Sequence, residues 1–221
     1  RTLNADAPGV LAKAANLCGA TLVHYSTDYV FDGSGSRPWT EADTPAPLSV
    51  YGSTKLAGER AVALHCYKHL ILRTSWVYAT RGGNFAKTML RLASEREALT
   101  VINDQFGAPT SAELLADVTA HALRQLQAKP ELAGLYHCIA SGETTWHGYA
   151  QFVLGQAKAL GLPLKAGPEH VEPTPTSSYP TPAKRPLNSR LNTGKLQAAF
   201  GLTLPHWQVG VARMLTEISG K

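Results

Sequence analysis

Apolar positions along this chain recur at alternating helix and strand periods. Asn4 to Leu17 sets Ala, Val and Leu on one stripe and stops before Gly19, which predicts a helix. Ala20 to Tyr25 reads as a strand that runs into the hydroxyl-rich Ser26-Thr27-Asp28. A turn-rich loop with Gly33, Gly35, Pro38 and Trp39 fills Asp32 to Pro47. Ser49 to Leu64 is the next helical pattern, and His69 to Arg73 the next strand, ending in Thr74-Ser75-Trp76. Further helices are predicted at Phe85 to Arg96 and Ser111 to Gln127, with strands at Leu99 to Ile102 and Gly134 to Ile139 and a loop at Asn103 to Pro109.

Strands alternating with helices imply right-handed crossovers and a mostly parallel sheet. The pattern changes after about Gly142. Thr145 to Leu160 is helical, and Pro163 to Pro186 is rich in Pro, Thr and Ser and reads as extended loop, packed between apolar helices. Asn188 to Asn192 leads into a short helix, Thr193 to Phe200. Pro205 opens a terminal helix through Ile218. The expected division is residues 1–142, the larger α/β part with segments crossing over, and 143–221, mainly a smaller lobe.

Composition narrows the class. The 221 residues suit one large domain or slightly more, and 44% hydrophobic content can fill a core. No apolar run approaches a membrane span, and no leader pattern opens the chain. The charge of +5 is scattered, without long Lys/Arg blocks, which argues against nucleic acid and reads as a solvated surface. A modest positive field also suits a phosphorylated small substrate. Cys18, Cys66 and Cys138 are few and far apart, as expected for free thiols in a reducing compartment, the cytoplasm. His65, Cys66 and His69 cluster, but no second ligand group has zinc spacing, so no metal site is assigned there.

Tyr51 and Lys55 lie four residues apart in V-Y-G-S-T-K-L-A-G-E. On a helix they share a face. A neighbouring ammonium stabilises phenolate and is expected to lower the phenol from its free pKa of roughly 10 toward the working pH. Such an acid can exchange a proton with an alcohol or carbonyl. The competing reading is a solvated Tyr-Lys pair. The context favours chemistry: two predicted strands end in hydroxyl-bearing residues, where open α/β sheets place their sites.

H-Y-S-T-D-Y-V-F-D-G, P-L-S-V-Y-G-S-T-K-L-A-G-E, L-R-T-S-W-V-Y, N-F-A-K-T-M-L-R-L, V-I-N-D-Q-F-G-A-P-T, G-L-Y-H and R-P-L-N-S-R-L-N-T follow one another in order. Together they resemble the dTDP-4-dehydrorhamnose reductases, within the extended short-chain dehydrogenase/reductase superfamily. The resemblance implies a Rossmann-like, doubly wound, mostly parallel sheet, here incomplete at its N-terminal end, with a small C-terminal substrate-binding lobe. It implies reduction of a nucleotide-sugar C4 ketone by NADPH or NADH.

By the same resemblance Tyr51 donates the proton. Lys55 tunes Tyr51 and holds the nicotinamide ribose, and Tyr25 touches the cofactor. Thr27 and Asp28 bind the substrate oxygen and sugar hydroxyls, Trp76 walls the sugar, and Arg190 and Asn192 reach phosphate or sugar. Each has a plainer alternative: Thr27 a backbone cap, Asp28 a turn residue, Tyr25 and Trp76 core aromatics, Arg190 and Asn192 a surface loop. Asn84 and Lys87 are weaker candidates. Glu113 and Glu217 are candidates for a divalent ion, Mg2+, at a homodimer contact, with solvated carboxylates as the alternative.

The family opens with a strand and a G-x-x-G-x-x-G turn that holds the cofactor pyrophosphate. No such turn occurs in these residues, so an N-terminal cofactor-binding segment is expected to precede Arg1. Two other functions share the fold. A related nucleotide-sugar epimerase or dehydratase is one; the dehydratases often carry Asp-Glu beside the strand-end Thr, where this chain has Asp28-Tyr29. A non-catalytic cofactor-binding regulator, like the regulatory subunit of methionine adenosyltransferase, is the second.

Overall fold

The structure is a computed structural model and describes residues 1–179 and 185–220. The chain interleaves between two compact units. Arg1–Ser75, Leu115–Ile139 and Ala183–Leu204 form the first, and Trp76–Leu114, Ala140–Pro182 and Pro205–Lys221 the second. The chain thus crosses between units near residue 140, as well as at two earlier points and twice again later.

The first unit is built on a parallel sheet of β1 (Leu22–Thr27), β2 (His69–Thr74) and β7 (Gly134–His137), in the order β1-β2-β7. Its helices are α1 (Ala7–Leu17), α2 (Val50–His65) and most of α4 (Ala112–Ala128), with α6 (Gly194–Phe200). β2 is the central strand, and its Leu70, Ile71 and Leu72 are buried, as a strand covered on both faces requires. Ala12 of α1, Val62 and Cys66 at the end of α2, and Ile71 form one buried cluster, with Ala15, Leu22 and Leu135 packed on it.

β1 begins two residues later than its apolar pattern suggested. Ala20 belongs to the end of α1: its N–H donates to Ala15 O at 2.9 Å, and Gly19 takes a left-handed φ of 67°. Ser26 and Thr27, read as the polar exit of the strand, are paired residues opposite Arg73 and Thr74.

The second unit contains α3 (Phe85–Glu95), α5 (Trp146–Ala159) and α7 (Trp207–Ile218). Three short strand pairings accompany them. β3 (Val77–Tyr78) runs parallel to β6 (Thr110–Ser111), β4 (Leu99–Ile102) parallel to β9 (Val171–Thr174), and β5 (Phe106–Gly107) antiparallel to β8 (Thr144–Thr145). A single bridge joins Ser141 to His206. Rings of Phe85, Trp146, Tyr149, Phe152 and Trp207 contact one another in a chain around the buried Tyr149.

Two expectations are corrected here. The stretch from Pro163 to Pro186, part of which lies outside the described residues, is not plain loop: Val171–Thr174 is a strand. Its sequence, Val-Glu-Pro-Thr, carries one apolar residue and a proline. Proline is tolerated because β9 pairs on one side only. The terminal helix starts at Trp207, not Pro205, because Pro205 O accepts Ser141 N at 2.9 Å and His206 is the cap.

His137 is fully buried, and its Nδ1–H donates to Trp39 O at 3.0 Å. Burial, then the Arg73 guanidinium, push its pKa down to about 3, against the backbone of Trp39 and Asn192. The folded state therefore keeps this imidazole neutral, while the unfolded chain protonates it near 6.5. Its stabilising contribution is complete above that value and is lost as pH falls toward about 3, at about 1.4 kcal/mol per pH unit. Urea denaturation of His137→Gln should show a flatter pH dependence between pH 6.5 and 4 than wild type; equal slopes would contradict this.

Candidate active site

α2 presents Tyr51 and Lys55 from its first two turns. Ser49 caps the helix by accepting Gly52 N at 3.1 Å. Gly52 lets the helix start lie against the turn after β1: a Cβ there would sit 2.1 Å from Tyr29 O. Tyr51 is 49% exposed, and its ring meets Tyr29 edge-on at 5.7 Å. Lys55 Nζ donates to Tyr25 O at 2.5 Å, tying the second turn to β1. Tyr25 is also held through its hydroxyl, 2.7 Å from Thr119 Oγ1.

Thr27 and Asp28 are buried at the carboxyl end of β1. Thr27 accepts Tyr29 N at 3.2 Å and donates to Asp28 Oδ1 at 3.2 Å, so it does cap the local backbone. It also faces the Tyr51 phenol, on which it acts as a hydrogen-bond partner. Asp28 is 3% exposed. Burial raises its carboxyl to about 6, while the Ser189 and Thr27 hydroxyls pull the other way.

Several polar atoms at this sheet end lack partners. Among the described residues, Ser26 Oγ, Asp28 Oδ2, Thr74 Oγ1 and Ser75 Oγ are buried without a hydrogen bond. All four lie at the ends of β1 and β2, which pair in register. Buried hydroxyls and carboxyls are normally satisfied, so this concentration suits a polar ligand. Sequence reasoning noted Thr74 and Ser75 as polar strand-end residues but assigned neither, nor Ser26 nor Ser189, a role.

The expected acidification of Tyr51 by Lys55 is absent from the site as it stands. Burial raises the phenol above its ordinary value, Thr27 opposes that, and Asp28 adds to it. Lys55 itself is shifted down by burial and held up by Glu59. Helical spacing put the two residues on one face, but the ammonium is committed to the Tyr25 carbonyl.

One turn beyond Lys55, Glu59 accepts Arg73 Nε at 2.9 Å and Nη2 at 2.7 Å. Both side chains are buried, and the guanidinium lies 5.0 Å from the Phe31 ring centroid. This bidentate pair fixes α2 to β2. Neither residue was predicted; a Glu and an Arg fourteen positions apart give no pairing signal.

The other candidates separate. Arg190 and Asn192 belong to the first unit, in a segment bridged to Trp39. Arg190 Nη1 donates to Asn188 Oδ1 at 3.3 Å, and Asn192 Oδ1 accepts Gly194 N at 2.8 Å. Trp76 belongs to the second unit, stacked on Trp146 at 3.8 Å. Asn84 caps α3 and donates to Ala79 O at 2.7 Å, while Lys87 Nζ donates to Thr80 O and Gly82 O, so both hold their own loop. Glu113 lies in the first turn of α4, and Glu217 accepts Thr80 Oγ1 at 3.0 Å. No group of three or more His, Cys, Asp or Glu suited to a metal occurs among the described residues, and no Mg2+ role is assigned to either glutamate.

Residues 1–219 match the family model described as the RmlD substrate binding domain. The chain belongs to the dTDP-4-dehydrorhamnose reductase family. Reductases of that name from Shigella flexneri and Salmonella typhimurium are 63% and 62% identical to it, over 98% of this chain and 72% of each relative. A dTDP-4-dehydrorhamnose reductase structure from Clostridium acetobutylicum superposes with a TM-score of 0.87 at 36% identity, over 97% of this chain and 72% of that one. A Bacillus anthracis reductase solved in complex with NADP gives 0.84 at 36% identity and the same coverage. These likenesses establish the Rossmann-like reductase fold, in which the Tyr-Lys helix of this chain is fastened to β1 at Tyr25 and to β2 at Arg73.

Arg73→Met should destabilise the protein by about 3–5 kcal/mol, because it strands a buried glutamate. Adding Glu59→Leu should recover much of that loss. Denaturant midpoints of the two variants check this, and an undisturbed single variant would contradict it.

Proposed function

We propose that this chain carries the catalytic side chains that reduce the C4 ketone of dTDP-4-dehydro-L-rhamnose to dTDP-L-rhamnose with NADPH. The observation that carries the reading is the half-exposed Tyr51 phenol beside Thr27 and Asp28, with Lys55 bonded to the end of β1. The unsatisfied hydroxyls at the same strand ends fit a polar ligand there. The reduced nicotinamide, when bound, supplies the hydride to C4. Tyr51 gives its proton to the oxygen that becomes the C4 hydroxyl.

The other residues prepare that transfer. Thr27 orients the carbonyl and stabilises charge on its oxygen. Asp28 accepts from a sugar hydroxyl, and near neutral pH its raised pKa leaves it partly protonated and able to donate as well. Lys55, with one N–H on Tyr25 O, has others for the nicotinamide ribose. Trp76 offers the sugar an aromatic face, and Arg190 and Asn192 reach toward the nucleotide phosphates. Burial holds the Tyr51 phenol above its ordinary value, and the positive charge that an oxidised nicotinamide would supply when bound would act in the opposite direction.

Cys18, Cys66 and Cys138 are unpaired, which supports a reducing, cytoplasmic setting. No helix among the described residues is long and apolar enough to cross a membrane.

The chain, alone and joined behind the N-terminal segment of the Shigella flexneri relative, should be assayed with NADPH and dTDP-4-dehydro-L-rhamnose. Oxidation of NADPH with formation of dTDP-L-rhamnose is expected of the joined protein; cofactor binding without turnover would overturn the reading. Tyr51→Phe should cost roughly a hundred- to ten-thousand-fold in kcat with normal folding. Lys55→Met should raise the KM for NADPH about tenfold through a lost charged hydrogen bond. Wild-type kinetics in either variant would remove that residue from its role.

A further inference from the structure

Among the described residues Trp76 is the one non-glycine residue in the left-handed region, with φ 48°. A bulky side chain is held there only when its surroundings dictate it, and such outliers gather at functional positions. Three neighbours within the same unit dictate this one. Thr110 N donates to Trp76 O at 3.2 Å, and Thr110 is itself buried and bonded to Ala108 O and Ala140 N, each at 3.1 Å. The Trp146 indole stacks on the Trp76 indole, 3.8 Å apart and 17° from parallel. Gly107 lies against the same ring: a Cβ there would fall 2.8 Å from Trp76 Cε2 and 3.1 Å from Nε1.

Trp146 is in turn tethered. Its Nε1–H donates to Gln105 Oε1 at 3.1 Å, and Gln105 Nε2 donates to Thr176 Oγ1 at 3.1 Å. Thr176 is held by Asp104, through Oγ1 at 2.6 Å and through its backbone N–H at 2.9 and 3.0 Å. The antiparallel pairing of Phe106 with Thr145 and Gly107 with Thr144 brings both ends of this device together. An indole needing only core burial requires neither a hydrogen-bonded stacking partner nor an absent side chain at one fixed point.

We propose that Gly107 and Trp146 are positioning residues that clamp the Trp76 indole in the one orientation that binds the sugar ring of the nucleotide substrate. This rests on Trp76 meeting the sugar, as proposed above. Gly107 is then a specificity-determining position: its backbone is not left-handed, so the indole, not φ, is what excludes a side chain.

The test reads the stack and the kinetics separately. Two stacked indoles give a far-ultraviolet circular-dichroism exciton couplet, measurable on the chain without cofactor. In Gly107→Ala the couplet should collapse. In the protein joined to the relative's N-terminal segment, kcat/KM for the nucleotide sugar should then fall roughly tenfold, with the KM for NADPH unchanged. An intact couplet overturns the clamp, and a collapsed couplet with unchanged kcat/KM overturns its role. Gln105→Met, which removes the acceptor for Trp146 together with the donor to Thr176 Oγ1, keeps the claim falsifiable should Gly107→Ala not fold. It should weaken the couplet and lower kcat/KM about threefold, and wild-type values for both would equally overturn the proposal. A wild type without turnover would fall on the reductase reading, leaving the couplet result to stand for the geometry.

Discussion

In-register parallel pairing of β1 with β2 is the constraint on which the first unit's candidate site depends. Six residue pairs, from Leu22–His69 to Thr27–Thr74, bring two strand ends to the same level. Parallel strands ending together expose their last backbone and side-chain groups at one edge. Here that edge holds Ser26, Thr27, Asp28, Thr74 and Ser75. A slip of one residue would turn Thr27 away and exchange buried for exposed positions along β1. α2 is fastened across the same edge at three levels: Gly52 against Tyr29 O, Lys55 on Tyr25 O, and Glu59 on Arg73.

The electrostatics of this edge are dominated by burial. Burial disfavours the charged form of several groups around it. It raises Tyr51 and Asp28 and lowers Lys55 and His24, the last to about 4. The Tyr51 phenol is thereby kept protonated, as the proposed role of proton donor requires. The fastening is ionic where it is deepest: Arg73 and Glu59 form a buried bidentate pair, and Glu59 also favours the charged form of Lys55.

Much of this was legible in the residues. Helix α2, β2 and β4 were placed within a residue or two because period and caps agreed, Ser49 at α2 and Asn84 at α3. The Tyr51–Lys55 spacing put both side chains on one face. Spacing could not show that the ammonium would be spent on a main-chain carbonyl of another element, and so the pKa direction was misjudged. β9 was missed because its pairing with β4 is made by backbone, and its side chains carry no alternation. The Arg73–Glu59 pair and the Trp76–Trp146 stack join residues 14 and 70 positions apart in chains of contact that only the fold creates.

The relatives fix the family, and the roles of individual groups are proposed from the geometry of this chain. The central claim is that the Tyr51 phenol is a weak acid until the complex forms. Ultraviolet difference titration of wild type against Tyr51→Phe, without ligand and with NADP+ bound, isolates that one phenol. The account predicts ionisation above the ordinary tyrosine value in the free protein and a fall on binding. A phenol already ionising below that value in the free protein would contradict it.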